Sequence, residues 1–324
     1  MEYKHQKVAV VTGSSTGIGF ETCLLFARNG ILTYAAMRDL TKADLIKSIA
    51  EKEKISIKVI IQMDVDKDDS VVKAFKDICE DHERGMGIDI LVYNDGFGLF
   101  GALEDQSIEH IKKQFETNLF GAIRTIQQVL PIMRNQRSGI IVNISSISGQ
   151  IGFPAQSVYV STKFALEGLS ESFAYEVEPY GISVVLIEPG VINTNFVENI
   201  MIPDNTQHIS SHLLPPSSPS ASPTVTYSGS PESNREISEY TNVVERFLSH
   251  YYPAMRNAPP PKEVAKVILE SINDSAVSSR QGGNNKNNNF YRYPVGEDAK
   301  LYAEVKRKMS DSELHSFVAK RILT

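Results

Sequence analysis

Tyr159 and Lys163 stand four positions apart in the segment Tyr159-Val-Ser-Thr-Lys163. On a helix that spacing puts both side chains on one face, close enough to touch. A tyrosine phenol ordinarily titrates near pH ~10, too high for efficient proton exchange at neutrality. A neighbouring ammonium favours the phenolate and lowers that value. Exposed Tyr/Lys pairs on amphipathic helices are common, so the pair needs company before it carries an assignment. Ser146 supplies some, in Asn143-Ile-Ser-Ser-Ile-Ser-Gly149, after an apolar run. A hydroxyl there can hydrogen-bond a substrate oxygen and steady its developing charge. Several serines crowd this turn, and the distance to Tyr159 selects Ser146 over Ser145. No serine lies in a Gly-x-Ser-x-Gly context.

A second constellation lies near the start of the chain. Gly13, Gly17 and Gly19 punctuate Thr12-Gly-Ser-Ser-Thr-Gly-Ile-Gly19, between an apolar strand and a helical pattern. Glycine permits the tight turn, lets backbone approach a pyrophosphate and lets the helix pack closely on the strand. The turn residues Ser15, Thr16 and Ile18 then lie at a helix N-terminus, whose amides and dipole favour phosphate. Mere turn chemistry would use the same residues.

The end of the second strand separates two dinucleotides. An acidic residue there would bind a ribose 2′-hydroxyl; here Met37 and Arg38 occupy the place. A guanidinium pairs with a 2′-phosphate that a carboxylate would repel, so NADP(H) is expected rather than NAD(H). Arg38 as a solvated charge beside Asp39 is the alternative. Asp64 and Val65, ending the third strand, suit the adenine, although Asp64 equally suits a helix N-cap. Asn94-Asp95-Gly96, ending the fourth, lies where the nicotinamide half should run, with Asn94 and Gly96 as contacts.

Seven strand-length apolar runs position these motifs: 7–12, 31–37, 58–65, 88–93, 139–144, 182–187 and 290–295. Helical patterns separate them: 18–29 (closed by Gly30), 42–52, 70–82, 108–133 as one helix or two, 157–177, 237–251 and 261–272. Two more follow the last strand, 299–309 and 312–322. Continuous apolar strands alternating with helices imply a parallel sheet covered on both faces. Right-handed crossovers then give a doubly wound, Rossmann-type, mainly parallel seven-stranded α/β fold. Ligands bind such sheets beyond the carboxyl ends of the strands, where the motifs fall.

The chain of 324 residues is read as a single domain, with its cofactor-binding and catalytic core in residues 1–200. Residues 190–273 are expected to form a substrate lid. Within it, 203–234 is rich in Ser and Pro and reads as a disordered insertion; 281–289 is a low-complexity loop. A net charge of −6 gives no support to a nucleic-acid partner. No run reaches the ~20 apolar residues of a membrane helix. With no apolar leader, the expected location is cytoplasmic. Cys23 and Cys79 lack metal or redox spacing. His208 and His212 share a metal-like i, i+4 spacing but lie beside the Ser/Pro segment with no third ligand, and no metal site is expected.

Taken together, TGSSTGIG at 12–19, NDG at 94–96, NLFG at 118–121, Ser146, YVSTK at 159–163 and EPG at 188–190 resemble the short-chain dehydrogenase/reductase family. The likeness runs through about residues 7–200 and continues weakly in RYPVG at 292–296. It implies Tyr159 as general acid/base, Lys163 as the group that lowers its pKa and holds the nicotinamide ribose, and Ser146 as the orienter of the substrate oxygen. It implies Asn118 as the holder of a relay water. Pro189, Gly190, Val191 and Thr194 would close over the nicotinamide. AAMRDL on the second strand resembles NADP-preferring steroid and retinol members.

The expected activity is therefore interconversion of an alcohol and a carbonyl by hydride transfer. Phe196, Ile200 and Met201 suggest an apolar small-molecule substrate. A homodimer or homotetramer is common in the family. A catalytically silent NADP(H)-sensing or scaffold protein is the alternative. Two departures stand out: Tyr93 and Asp95 replace the family's usual asparagine and alanine.

Overall fold

The computed structural model describes residues 6–55, 57–81, 87–203, 238–280 and 290–324. The Ser/Pro-rich stretch, apart from Pro203, lies outside them, as do the 281–289 loop and both His208 and His212.

Seven strands, β1 (Val8–Val11), β2 (Leu32–Met37), β3 (Ile57–Gln62), β4 (Ile90–Tyr93), β5 (Gly139–Ile144), β6 (Ile182–Pro189) and β7 (Phe290–Val295), form one sheet. Its order is β3-β2-β1-β4-β5-β6-β7 and every pairing is parallel. Successive residues of each strand face opposite sides of the sheet. On one side Val8, Val10, Tyr34 and Leu91 meet apolar residues of α3 (Asp68–Asp81), α5 (Gly121–Gln136) and α6 (Ser157–Val177). On the other, Ala9, Val11, Ala35 and Val92 meet α1 (Gly17–Arg28), α2 (Asp44–Glu53) and α8 (Pro261–Arg280). Burial on both faces explains why the strands read as unbroken apolar runs rather than alternating ones. The doubly wound, Rossmann-type sheet expected from the sequence is thus present.

The chain winds outward from β1 to β3, returns, and continues from β4 the other way. Between the carboxyl ends of β1 and β4 the following loops part in opposite directions, which opens the crevice where such sheets bind ligands. A third apolar cluster covers the carboxyl ends of β4 to β6. It unites Phe100, Ile147 and Tyr159 with α7 (Thr241–Arg256), α9 (Glu297–Lys308) and α10 (Asp311–Leu323).

Some boundaries differ from the sequence reading. The third strand stops at Gln62 because Met63 to Val65 turn toward the crevice, while the sixth runs on to Pro189, paired with Val295. The long 108–133 pattern is α4 (Ile108–Phe115) joined to α5 through a π-helical segment, Glu116–Phe120. Such π segments concentrate at functional sites. No helix among the described residues is long and apolar enough to cross a membrane.

Ile268 of α8 is fully buried beneath the sheet. Truncation to alanine removes buried methylenes and leaves a cavity. Ile268→Ala is expected to lower unfolding stability by about 2–5 kcal/mol, read from urea denaturation, with little change in the slope of the transition.

Candidate active site

The glycine turn is shaped from beneath. Asn94, just past β4, donates its side-chain amide to the carbonyls of Thr12 (3.2 Å) and Gly13 (3.1 Å), while its backbone N–H donates to the Thr12 hydroxyl at 3.0 Å. Both side-chain hydrogens are thereby engaged, so Asn94 builds the turn. Gly19 does similar work by absence: a Cβ there would lie 2.6 Å from the Gly13 carbonyl oxygen. Ser14 ties the turn to β2, its hydroxyl donating to the Ala36 carbonyl at 2.8 Å. Ser15, Thr16, Gly17 and Ile18 are left facing a cavity of about 660 Å³.

Several features of that cavity fit a dinucleotide. Gly17 has φ +61°, a left-handed conformation that favours glycine, and a Cβ on it would lie 3.6 Å from Thr194. The first turn of α1 holds no acidic residue, so its amides and dipole face the cavity without competition. Arg38 lines the same space with Lys42, and its guanidinium makes no ion pair among the described residues. Asp39 lines that space too, its carboxylate accepting from the Thr41 amide (3.0 Å) and hydroxyl (2.7 Å). Asp64 lines the cavity, and its Oδ1 accepts from the Asp66 amide at 3.3 Å in the turn before α3. Val65, Gly96, Pro189, Gly190 and Val191 line the cavity too.

The Pro189–Val191 segment is held by a residue the sequence reading did not single out. Asp298, in the first turn of α9, accepts from the Val191 amide at 2.7 Å. A Cβ on Gly190 would lie 2.1 Å from an Asp298 oxygen, so a side chain there would displace the Asp298 carboxylate. The available signal was Gly296-Glu-Asp298, a glycine and two acids directly after the last strand.

At the other end of the cavity, Ser146, Tyr159 and Lys163 converge. Ser146 follows β5, and its Oγ accepts from the Ser148 amide at 3.1 Å, which fixes its direction. Lys163 is buried and donates to the Ile144 carbonyl at 2.9 Å, with its Nζ 5.8 Å from the centroid of the Tyr159 ring. Phe100 and Phe196 meet the Tyr159 ring edge-on, at centroid distances of 6.0 and 5.9 Å. Burial pushes the Tyr159 phenol up to about 12, against a lowering hydrogen bond with Ser146. Burial likewise pushes the Lys163 ammonium down to about 8, with the Glu167 carboxylate opposing. In the chain by itself desolvation therefore outweighs the Ser146 interaction, and the phenol lies above its ordinary value, contrary to the expected direction.

Asn118 sits in the π segment, fully buried, and is absent from the cavity wall. Its Oδ1 accepts from the Phe97 amide at 3.1 Å, and its Nδ2 donates to the Phe97 carbonyl (3.1 Å) and to the Thr162 hydroxyl (3.0 Å). It thus ties the loop after β4 to the helix that carries Tyr159 and Lys163. Tyr93, the first departure, has a structural reason: its hydroxyl donates to the Thr117 carbonyl of the π segment. Gly121 leaves it room, since a Cβ there would lie 2.5 Å from the Tyr93 oxygen.

Behind Lys163 lies a carboxyl pair that the sequence reading missed. Glu167, one turn further along α6, and Glu188 of the Glu-Pro-Gly segment are both buried and close enough to interact. Arg292 of β7 contacts both, at 2.9 Å from Glu167 and 3.5 Å from Glu188, and Gln150 donates to Glu188 at 2.6 Å. Burial first, then the neighbouring Glu167 charge, raises Glu188 above the usual carboxylate range. The residues lie 21 apart in sequence and carry no joint spacing signal.

Comparison with known proteins identifies the family. The short chain dehydrogenase family model matches residues 7–204, and the chain belongs to the short-chain dehydrogenase/reductase family. It is an oxidoreductase of that family. It is 32% identical to the uncharacterized oxidoreductase YusZ of Bacillus subtilis over 92% of this chain and 91% of that protein. It is 31% identical to retinol dehydrogenase 8 of Bos taurus, covering 86% of this chain and 82% of the relative. A short-chain dehydrogenase structure from Streptomyces avermitilis superposes with a TM-score of 0.70 at 25% identity, over 97% of both chains.

The raised Glu188 gives a signed prediction. The native state keeps a proton that the unfolded chain loses above 4.5, so stability falls as pH rises from there through the native titration. Glu188→Gln removes that linkage. Its Tm is expected to fall less than the wild-type Tm between mildly acidic and mildly alkaline buffers, as read by calorimetry.

Proposed function

We propose that the chain is an NADP(H)-dependent oxidoreductase that interconverts an apolar alcohol and its carbonyl, with Tyr159 as general acid/base. The observation that carries this reading is the convergence of Ser146, Tyr159 and Lys163 at one end of a cavity whose other end is the glycine turn. The cavity wall around Tyr159 includes Phe100, Phe153, Phe196, Ile200, Phe247 and Tyr251. Such a wall suits a lipid-like ketone or alcohol such as a steroid or retinoid. Segments flanking 203–234 contribute to it, consistent with residues 190–273 acting as the substrate lid.

In the reductive direction Ser146 donates a hydrogen bond to the substrate carbonyl oxygen and polarises it. Bound NADPH supplies the hydride to the carbonyl carbon. Tyr159 gives its proton to the oxygen as negative charge develops there, and the Lys163 ammonium steadies the resulting phenolate. Lys163 also binds the nicotinamide ribose hydroxyls. Oxidation runs through the same groups in reverse. The side chain of Asn118 is engaged with Phe97 and Thr162, so its main-chain carbonyl in the π segment is the group assigned to the relay water. Arg38 takes the adenosine 2′-phosphate. Ile108, Phe120 and Phe164, exposed on α4, the π segment and α6, support a homodimeric or homotetrameric assembly.

Tyr159→Phe is expected to cut turnover of a responsive carbonyl substrate by at least about 100-fold, with NADPH affinity retained by fluorescence titration. Unchanged turnover overturns the assignment, and NADPH binding with no turnover of any carbonyl by the wild-type chain favours the silent nucleotide-binding alternative. Arg38→Asp is expected to invert the NADPH/NADH ratio of kcat/KM; an unaltered ratio removes Arg38 from the 2′-phosphate site.

A further inference from the structure

The second departure, Asp95, bears on how the nucleotide is held, and its role there rests on the proposed binding of a dinucleotide. Asp95 follows β4 and lines the nucleotide half of the cavity. Its Oδ2 is fully enclosed and has no hydrogen-bond partner. A Cβ on Gly13 would lie 3.2 Å from both its Cγ and its Oδ2, so the carboxyl group is pressed against the glycine turn itself. Its hydrogen-bonding neighbour is the Thr12 hydroxyl.

The charges around it do not compensate it. Asp64 and Asp66 face it from the loop after β3, and Arg38 from the end of β2. Tyr93 stands beneath, a buried neutral phenol. On the far side of Gly96 is Lys163, engaged with the Ile144 carbonyl. Two carboxylates thus oppose one guanidinium, and that guanidinium is the group assigned to the cofactor. Burial, followed by the nearby acids, pushes Asp95 up to about 6.

A dinucleotide brings its pyrophosphate charge onto the amides of the turn against which Asp95 is pressed. Like charges this close, in a site shielded from water, repel strongly. An alanine at this position, as in the family pattern, has no such conflict. We propose that Asp95 links nucleotide binding to proton uptake, so that the dinucleotide is held by the chain in which Asp95 is a neutral acid. Protonation removes the buried charge and leaves the turn free to receive the phosphates. Above the titration of the free chain, affinity then falls about tenfold per pH unit until the bound state itself titrates.

Isothermal titration of NADPH into the full chain, at mildly alkaline pH in two buffers of different ionisation enthalpy, counts the protons exchanged. The same titrations on Asp95→Asn and Asp95→Ala cancel any proton that belongs to the nucleotide's own 2′-phosphate. The wild-type chain is expected to take up close to one more proton per NADPH than either variant. Both variants should bind more tightly at alkaline pH and lose most of the pH dependence of Kd. Equal proton counts in all three proteins, with binding intact, overturn the role of Asp95 and leave the cofactor reading standing. Absence of binding by the wild-type chain to both NADPH and NADH overturns the cofactor reading and this inference with it.

Discussion

The side-chain amide of Asn94 and the carbonyls of Thr12 and Gly13 form the joint on which the site depends. They lie where β1 and β4 run side by side and their loops part in opposite directions. A parallel sheet leaves such strand ends with unpaired carbonyls, and a buried carbonyl without a partner is costly. Asn94 satisfies two of them at once and fixes the curvature of the glycine turn. The amides of that turn then face outward, toward the crevice. Gly13 and Gly19 are glycines because the joint leaves no room for side chains, with approach distances below 3 Å.

The same economy recurs at the Tyr159 end, where cavity-lining residues are held in place by other side chains. Asn118 clamps the loop after β4 to the helix of Tyr159 and Lys163. Tyr93 braces the π segment in which Asn118 sits. Asp298 fixes the Pro189–Val191 segment, and the Glu167–Glu188–Arg292 cluster lies directly behind Lys163. Positions drawn from six strands thus converge within one cavity. Preorganisation of this kind lets hydrogen-bond donors act without reorganising during reaction. Burial has a cost here: it raises the Tyr159 phenol and lowers the Lys163 ammonium.

Much of this was legible in the chain. Every strand of the sheet was visible as an apolar run, because both faces are buried and no polar alternation interrupts the pattern. Gly139–Ile144, Ser157–Val177 and Phe290–Val295 have the boundaries read from the sequence. The glycine turn, Ser146, Tyr159 and Lys163 were legible because spacing along a strand-to-helix turn or a helix fixes local geometry. The π segment was not legible, since its residues are as compatible with an α-helix. Asp298, Glu167 and Arg292 were not legible either, because each acts on a residue far away in sequence.

The sequence by itself therefore determined the sheet, the order of its elements and which residues stand at the strand ends, because backbone periodicity and turn chemistry are local. Only the tertiary structure decided what those residues do there. It turned Asn94 and Gly19 inward to the joint, locked Asn118 against Phe97 and Thr162, and pressed the Asp95 carboxyl against Gly13. It also placed Glu188 beside Glu167. These outcomes follow from burial and from partners brought together by folding, and neither property is carried by a residue's own place in the chain.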